Sequence, residues 1–104
     1  MLQKLIKNKL LKAVEKGMSK IEFWIDTENK TIKKMVTFQT GEISSSVEEF
    51  DPSFFSSYIK KDKEIKDLKI IYLIVEKNEK IESVKGYYFF INKNGEKNKK
   101  AFEL

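Results

Sequence analysis

The sequence predicts an α+β fold, with one domain over residues 1–104 built on a mainly antiparallel sheet of five to six strands. An N-terminal amphipathic helix and a second, mid-chain helix complete it, in the order α-β-β-(β)-α-β-β-β. Three observations lead there. Apolar residues recur every three or four positions near the N-terminus, the signature of a helix with one buried stripe. Most later apolar residues alternate with polar ones or form short runs, as strands require. Short turn-forming segments, the clearest of them Asn94-Gly95, divide those strands into hairpins.

In the first helix, residues 2–17, Leu2, Leu5, Ile6, Leu10, Ala13 and Val14 share one face, and Gly17 is the expected stop. Residues 21–26 set Ile21, Phe23 and Ile25 on one side against Glu22, Trp24 and Asp26 on the other, a strand with one buried face. After a turn at 27–30, residues 31–39 return with Ile32, Val36 and Phe38 toward the core, and 42–47 form a weak third strand or edge. Asp51-Pro52 is a helix start: Asp caps the backbone and Pro takes the first helical position. Phe54, Phe55, Tyr58, Ile59 and Ile65 then follow at helical spacing, which predicts a helix from Pro52 to about Lys66. The run 70–75 is apolar on both faces and suits a central strand covered on both sides. Residues 81–92 form a longer strand in which Gly86 marks a bulge or a close approach. Asn94-Gly95, expected as a type I′ turn, leads to a last strand at 96–104.

Composition excludes several kinds of chemistry. There is no Cys and no His, so disulfides, zinc–thiolate sites, thiol nucleophiles and imidazole bases are ruled out. All 21 basic residues are Lys, which removes the bidentate guanidinium fork. The four glycines are isolated, so no glycine-rich phosphate loop exists, and no G-x-S-x-G elbow is present. The carboxylates Glu42, Glu48, Glu49 and Asp51 form the one dense acidic group, but they follow no EF-hand pattern and read as a solvated loop. The expectation is therefore a protein with no enzymatic activity, no cofactor and no bound metal.

Charge is uneven. Residues 1–20 hold six Lys against Glu15, while the remaining residues balance and 35–59 contain no Lys. Apolar runs are too short for a membrane span, and Lys interrupts the N-terminal apolar residues too often for a signal peptide. The expected location is cytoplasmic, and no membrane partner is expected.

What remains is binding. Trp24 lies opposite the buried side of its strand, with Lys33 and Met35 near it across the hairpin, and alternate rings among Tyr87, Tyr88, Phe89 and Phe90 face opposite sides of the sheet. Exposed aromatics of this kind anchor protein interfaces. The first expectation is a stoichiometric inhibitor, of the kind represented by immunity or anti-defence proteins, that masks a surface of an effector or nuclease. Trp24, Lys33, Met35, Tyr87 or Tyr88 would anchor it, with Glu42, Glu48, Glu49 and Asp51 steering. The second is a nucleic-acid binder that uses Lys4, Lys9, Lys12, Lys16 and Lys20 together with the sheet aromatics. An open sheet edge also offers a route to a homodimer.

Overall fold

The computed structural model describes residues 2–53, 59 and 61–104, with the side chains of residues 2 and 3 excepted. One helix, α1 (Leu2–Lys12), precedes six strands: β1 (Met18–Asp26), β2 (Thr31–Phe38), β3 (Ile43–Glu49), β4 (Ile65–Lys77), β5 (Glu82–Asn92) and β6 (Lys97–Glu103). They form a single antiparallel sheet in the order β3-β2-β1-β4-β5-β6. Two three-stranded meanders thus meet along one seam, where Lys20–Asp26 of β1 pairs with Ile70–Glu76 of β4.

Alternation decides which side chains are buried. Ile21, Phe23 and Ile25 of β1 stand opposite Val75, Leu73 and Ile71 of β4, and beyond them lie Val84 and Phe90 of β5. All are buried. Leu11 of α1 and Ile59 of the β3–β4 connection close over this face. Gly86 sits in the same layer. A Cβ there would collide with the Tyr72 carbonyl oxygen and lie 2.9 Å from the Phe102 ring. The glycine therefore serves a close approach, with Phe102, its cross-strand partner, covering the gap.

Several expectations are corrected. The helix ends at Lys12, and Gly17 (φ +92°) opens the turn into a strand that already begins at Met18. Its buried face is also rotated: Leu11 is buried and Leu5 is 62% exposed. Much of the helix expected from Pro52 to about Lys66 lies outside the described residues, Phe54, Phe55 and Tyr58 among them. Its start is present, since Asp51 Oδ1 accepts hydrogen bonds from the Ser53 N–H (3.0 Å) and Oγ (2.7 Å). Its end is not, because 61–64 turn and Ile65 and Lys66 belong to β4. Among the described residues Ser53 and Ile59 are helical outside α1, but the six strands hold most of the chain, so the fold is mostly sheet.

Asn94-Gly95 turns the chain, but not as type I′, which needs positive φ at both central residues. Gly95 has φ +81° and Asn94 does not. The Gly95 N–H donates to the Asn92 carbonyl, and the Asn92 N–H to that of Glu96. That is a three-residue loop ending in a left-handed glycine, and Gly41 repeats it between β2 and β3. Finally, β4 is central in the order but covered on one face only: Ile71, Leu73 and Val75 are buried, while Ile70 on the other side is 36% exposed.

Candidate functional site

The uncovered face of the sheet carries the candidate site. Cross-strand partners lie on the same face, so the register defines a row running over all six strands: Val47, Lys33, Trp24, Tyr72, Tyr87 and Ala101. Three aromatic rings occupy its centre. Trp24 and Tyr72 are 4.3 Å apart between centroids, tilted by 43°, and Tyr72 and Tyr87 stack at 6.4 Å. Lys99 Nζ lies 5.4 Å from the Tyr87 ring centre, a cation–π contact at one end of the row. Lys33, the cross-strand partner of Trp24, stands toward the other.

Neighbouring rows extend the apolar surface. Ile70 and Phe89 are paired on one side, and Met35 and Ile74 flank Glu22 on the other. The polar tip of the central ring is partnered. The Tyr72 hydroxyl donates to Glu22 Oε2 at 2.6 Å, and burial together with that carboxylate pushes the phenol well above its usual range. Lys20 lies 3.6 Å from the same Glu22 side chain. The phenol therefore stays neutral, and the central ring of the row has a fixed tip.

Charge on this face is close to balanced. The register places Lys20, Lys33, Lys85, Lys97 and Lys99 here, against Glu22, Asp26, Glu49, Asp67, Glu76 and Glu103. Helix α1 packs on the opposite, core face through Leu11. Lys4, Lys9 and Lys12 of α1 therefore do not share a surface with the aromatic row, Lys16 lies in the turn before β1, and Lys20 is the one member of that group the register places on the aromatic side.

The other expected residues divide. Trp24, Lys33, Met35 and Tyr87 come together. Tyr88 does not; it points into the core layer, where its hydroxyl donates to Asp62 Oδ2 at 3.1 Å. Lys100 Nζ meets the same oxygen at 2.7 Å and Glu64 at 3.1 Å, so this cluster clasps the β3–β4 connection to the sheet. The Lys100 ammonium and the backbone N–H of Glu64 hold the Asp62 carboxyl below its ordinary range. The four acids do not converge. Glu42 precedes β3 and Asp51 follows it, and the adjacent Glu48 and Glu49 point to opposite faces. All four are exposed. Among the described residues no group of three or more carboxylates is placed to hold a cation.

Sequence reasoning missed Tyr72. It lies within an apolar run read as buried on both sides, and its place beside Trp24 depends on a pairing between residues 48 positions apart.

No known family model, curated protein or solved structure matches this chain. No helix of the described residues is long and apolar enough to cross a membrane.

Proposed function

We propose that this protein is a non-enzymatic binding module that docks a protein partner on the open face of its sheet, masking a surface of that partner in the manner of a stoichiometric inhibitor. The observation that carries the reading is the Trp24–Tyr72–Tyr87 row, set in an apolar surround on a face that no element among the described residues covers. Large aromatic side chains with polar tips form the energetic centre of protein interfaces, since they lose much water-exposed area at small cost in rotamer freedom. Lys33 and Lys99 on either side of the three rings, with Glu22 in the neighbouring row, would set register and orientation. An effector or nuclease is the partner class we favour.

The charge distribution favours a protein over a nucleic acid. Phosphate binding draws on net positive charge, and the aromatic face has little. The α1 lysines lie across the sheet, so a strand stacked on Trp24 would have to wrap around an edge to reach them.

The test uses Trp24, the single tryptophan, as its own reporter. Labelled single-stranded and duplex oligonucleotides are titrated at about 50 and 200 mM salt, following anisotropy and Trp24 emission. The expected result is no salt-dependent binding, together with capture of a protein partner that Trp24→Ala loses. Micromolar binding that drops steeply with salt and quenches Trp24 would overturn the reading in favour of nucleic acid.

A further inference from the structure

The two edges of the sheet fit each other. β3 is exposed at all seven positions and has no lysine, proline or bulge, the usual devices that protect an edge. β6, the opposite edge, has the same length and carries Lys97, Lys99 and Lys100. Every pairing between them is antiparallel, so β3 runs parallel to β1, whereas β6 runs antiparallel to it. The two edges are therefore antiparallel to one another.

The register also shows which backbone groups point outward. The Glu42 carbonyl accepts from the Phe38 N–H, and the Phe50 N–H donates to Lys30, so even-numbered residues here bond to β2. In an antiparallel ladder the intervening residues face away. On β3 these are Ile43, Ser45, Val47 and Glu49. By the same reasoning, the bonds between Asn92 and Glu96 and between Leu104 and Val84 leave Lys97, Lys99, Ala101 and Glu103 facing outward on β6. On both edges the outward residues project their side chains onto the aromatic face.

We infer that a second copy of the chain adds its β6 to β3, with Glu49 opposite Lys97, Val47 opposite Lys99, Ser45 opposite Ala101 and Ile43 opposite Glu103. Direction, outward backbone groups, sheet face and strand length all agree in this register. Each of the four pairs exchanges two backbone hydrogen bonds. Charge agrees too. Segment 42–51 has four carboxylates and no lysine, and the pairing sets Glu49 across from Lys97. Joining β3 to β3 would bring two carboxylates from each copy to one seam with no lysine between them, and β6 to β6 would bring three lysines from each copy against one carboxylate from each.

The contact joins unlike edges, so each added copy leaves one edge of each kind free and the assembly does not close as a pair. Successive strands twist by about 20–25°, so the product is a helical ribbon with every aromatic row on one continuous face. That face stays uncovered, and the inference stands whether or not the docking function above is correct.

Sedimentation velocity at low salt tests it, over about 10 µM to 1 mM, because an edge contact this small is weak. The expected result is a weight-average mass that climbs past the dimer without a plateau. Ser45→Pro removes an outward N–H without touching the β2–β3 ladder, and it should remain monomeric throughout. Glu49→Lys should weaken assembly by about tenfold, and adding Lys97→Glu to it should restore assembly. Circular dichroism and Trp24 emission confirm that each variant is folded. Exchange of the Ser45 and Val47 amide protons should slow as wild-type concentration rises. A monomer at every concentration, a dimer that saturates, or assembly unaffected by Ser45→Pro would each overturn the inference.

Discussion

The two faces of this sheet are built from the same strands and obey different chemistry. On one, Ile71, Leu73 and Val75 of β4 are at most 1% exposed beneath α1 and the β3–β4 connection. On the other, the intervening Ile70, Tyr72 and Ile74 join Trp24 and Tyr87, which are 38% and 41% exposed. The covered face is mainly aliphatic, and close packing rewards branched side chains without polar atoms. The open face is aromatic with hydroxyl and indole tips, groups that tolerate water at one end and apolar contact at the other. The comparison teaches that a strand's hydrophobicity reports what it can bury, and its chemical type reports whether cover is provided within the chain.

The largest expected contrast is between neighbours on β4. Leu73→Ala should cost about 2–5 kcal/mol of stability in denaturant unfolding, because it opens a cavity in the covered layer. Ile74→Ala, one residue along on the open face, should cost less than about 1 kcal/mol. Similar losses would erase the distinction between the faces. Gly86→Ala comes next, at about 1–3 kcal/mol, because its methyl group would collide with the Tyr72 carbonyl, which cannot withdraw without breaking the ladder.

A smaller effect concerns the clasp that holds the covering segment in place. The Asp62 carboxyl lies below its ordinary value of 3.8 in the folded state, mainly through Lys100. Near that pH the unfolded chain therefore binds more protons than the folded one, so the stabilisation is complete above it and is lost on further acidification. Thermal unfolding followed from pH 7 down to about pH 2 should show a loss below about pH 4 that Asp62→Asn reduces. An unchanged acid profile in that variant would remove the clasp from the account. The smallest change in stability, under about 1 kcal/mol, is expected for Trp24→Ala, which deletes an exposed ring contact. The same substitution should abolish partner capture.

Much of the architecture was legible. The alternation in residues 21–26 placed Trp24 opposite Ile21, Phe23 and Ile25, and both hairpin turns with positive-φ glycines, at Gly41 and Gly95, were located. The geometry of the Asn94-Gly95 loop was not, because Asn-Gly suits both a two-residue turn and a three-residue one that closes on Gly. The start of β4 was hidden as well. Ile65 and Lys66 read as the end of the second helix, and two register shifts break the alternation just beyond them. Tyr88 and Tyr87 were separable only as alternates. The β1–β4 pairing decides between them, and no local pattern encodes it.

The seam between β1 and β4 also sets the tempo of folding. Residues 18–49 and 65–103 each form a meander from hairpins with short loops, contacts that close over few residues. Joining Lys20 to Glu76 or Asp26 to Ile70 brings together positions 56 and 44 residues apart. Rates in small domains fall as such long-range pairings dominate, because closure entropy is spent before the contacts form. The two halves can take shape early, and their meeting along β1–β4 is the slow event.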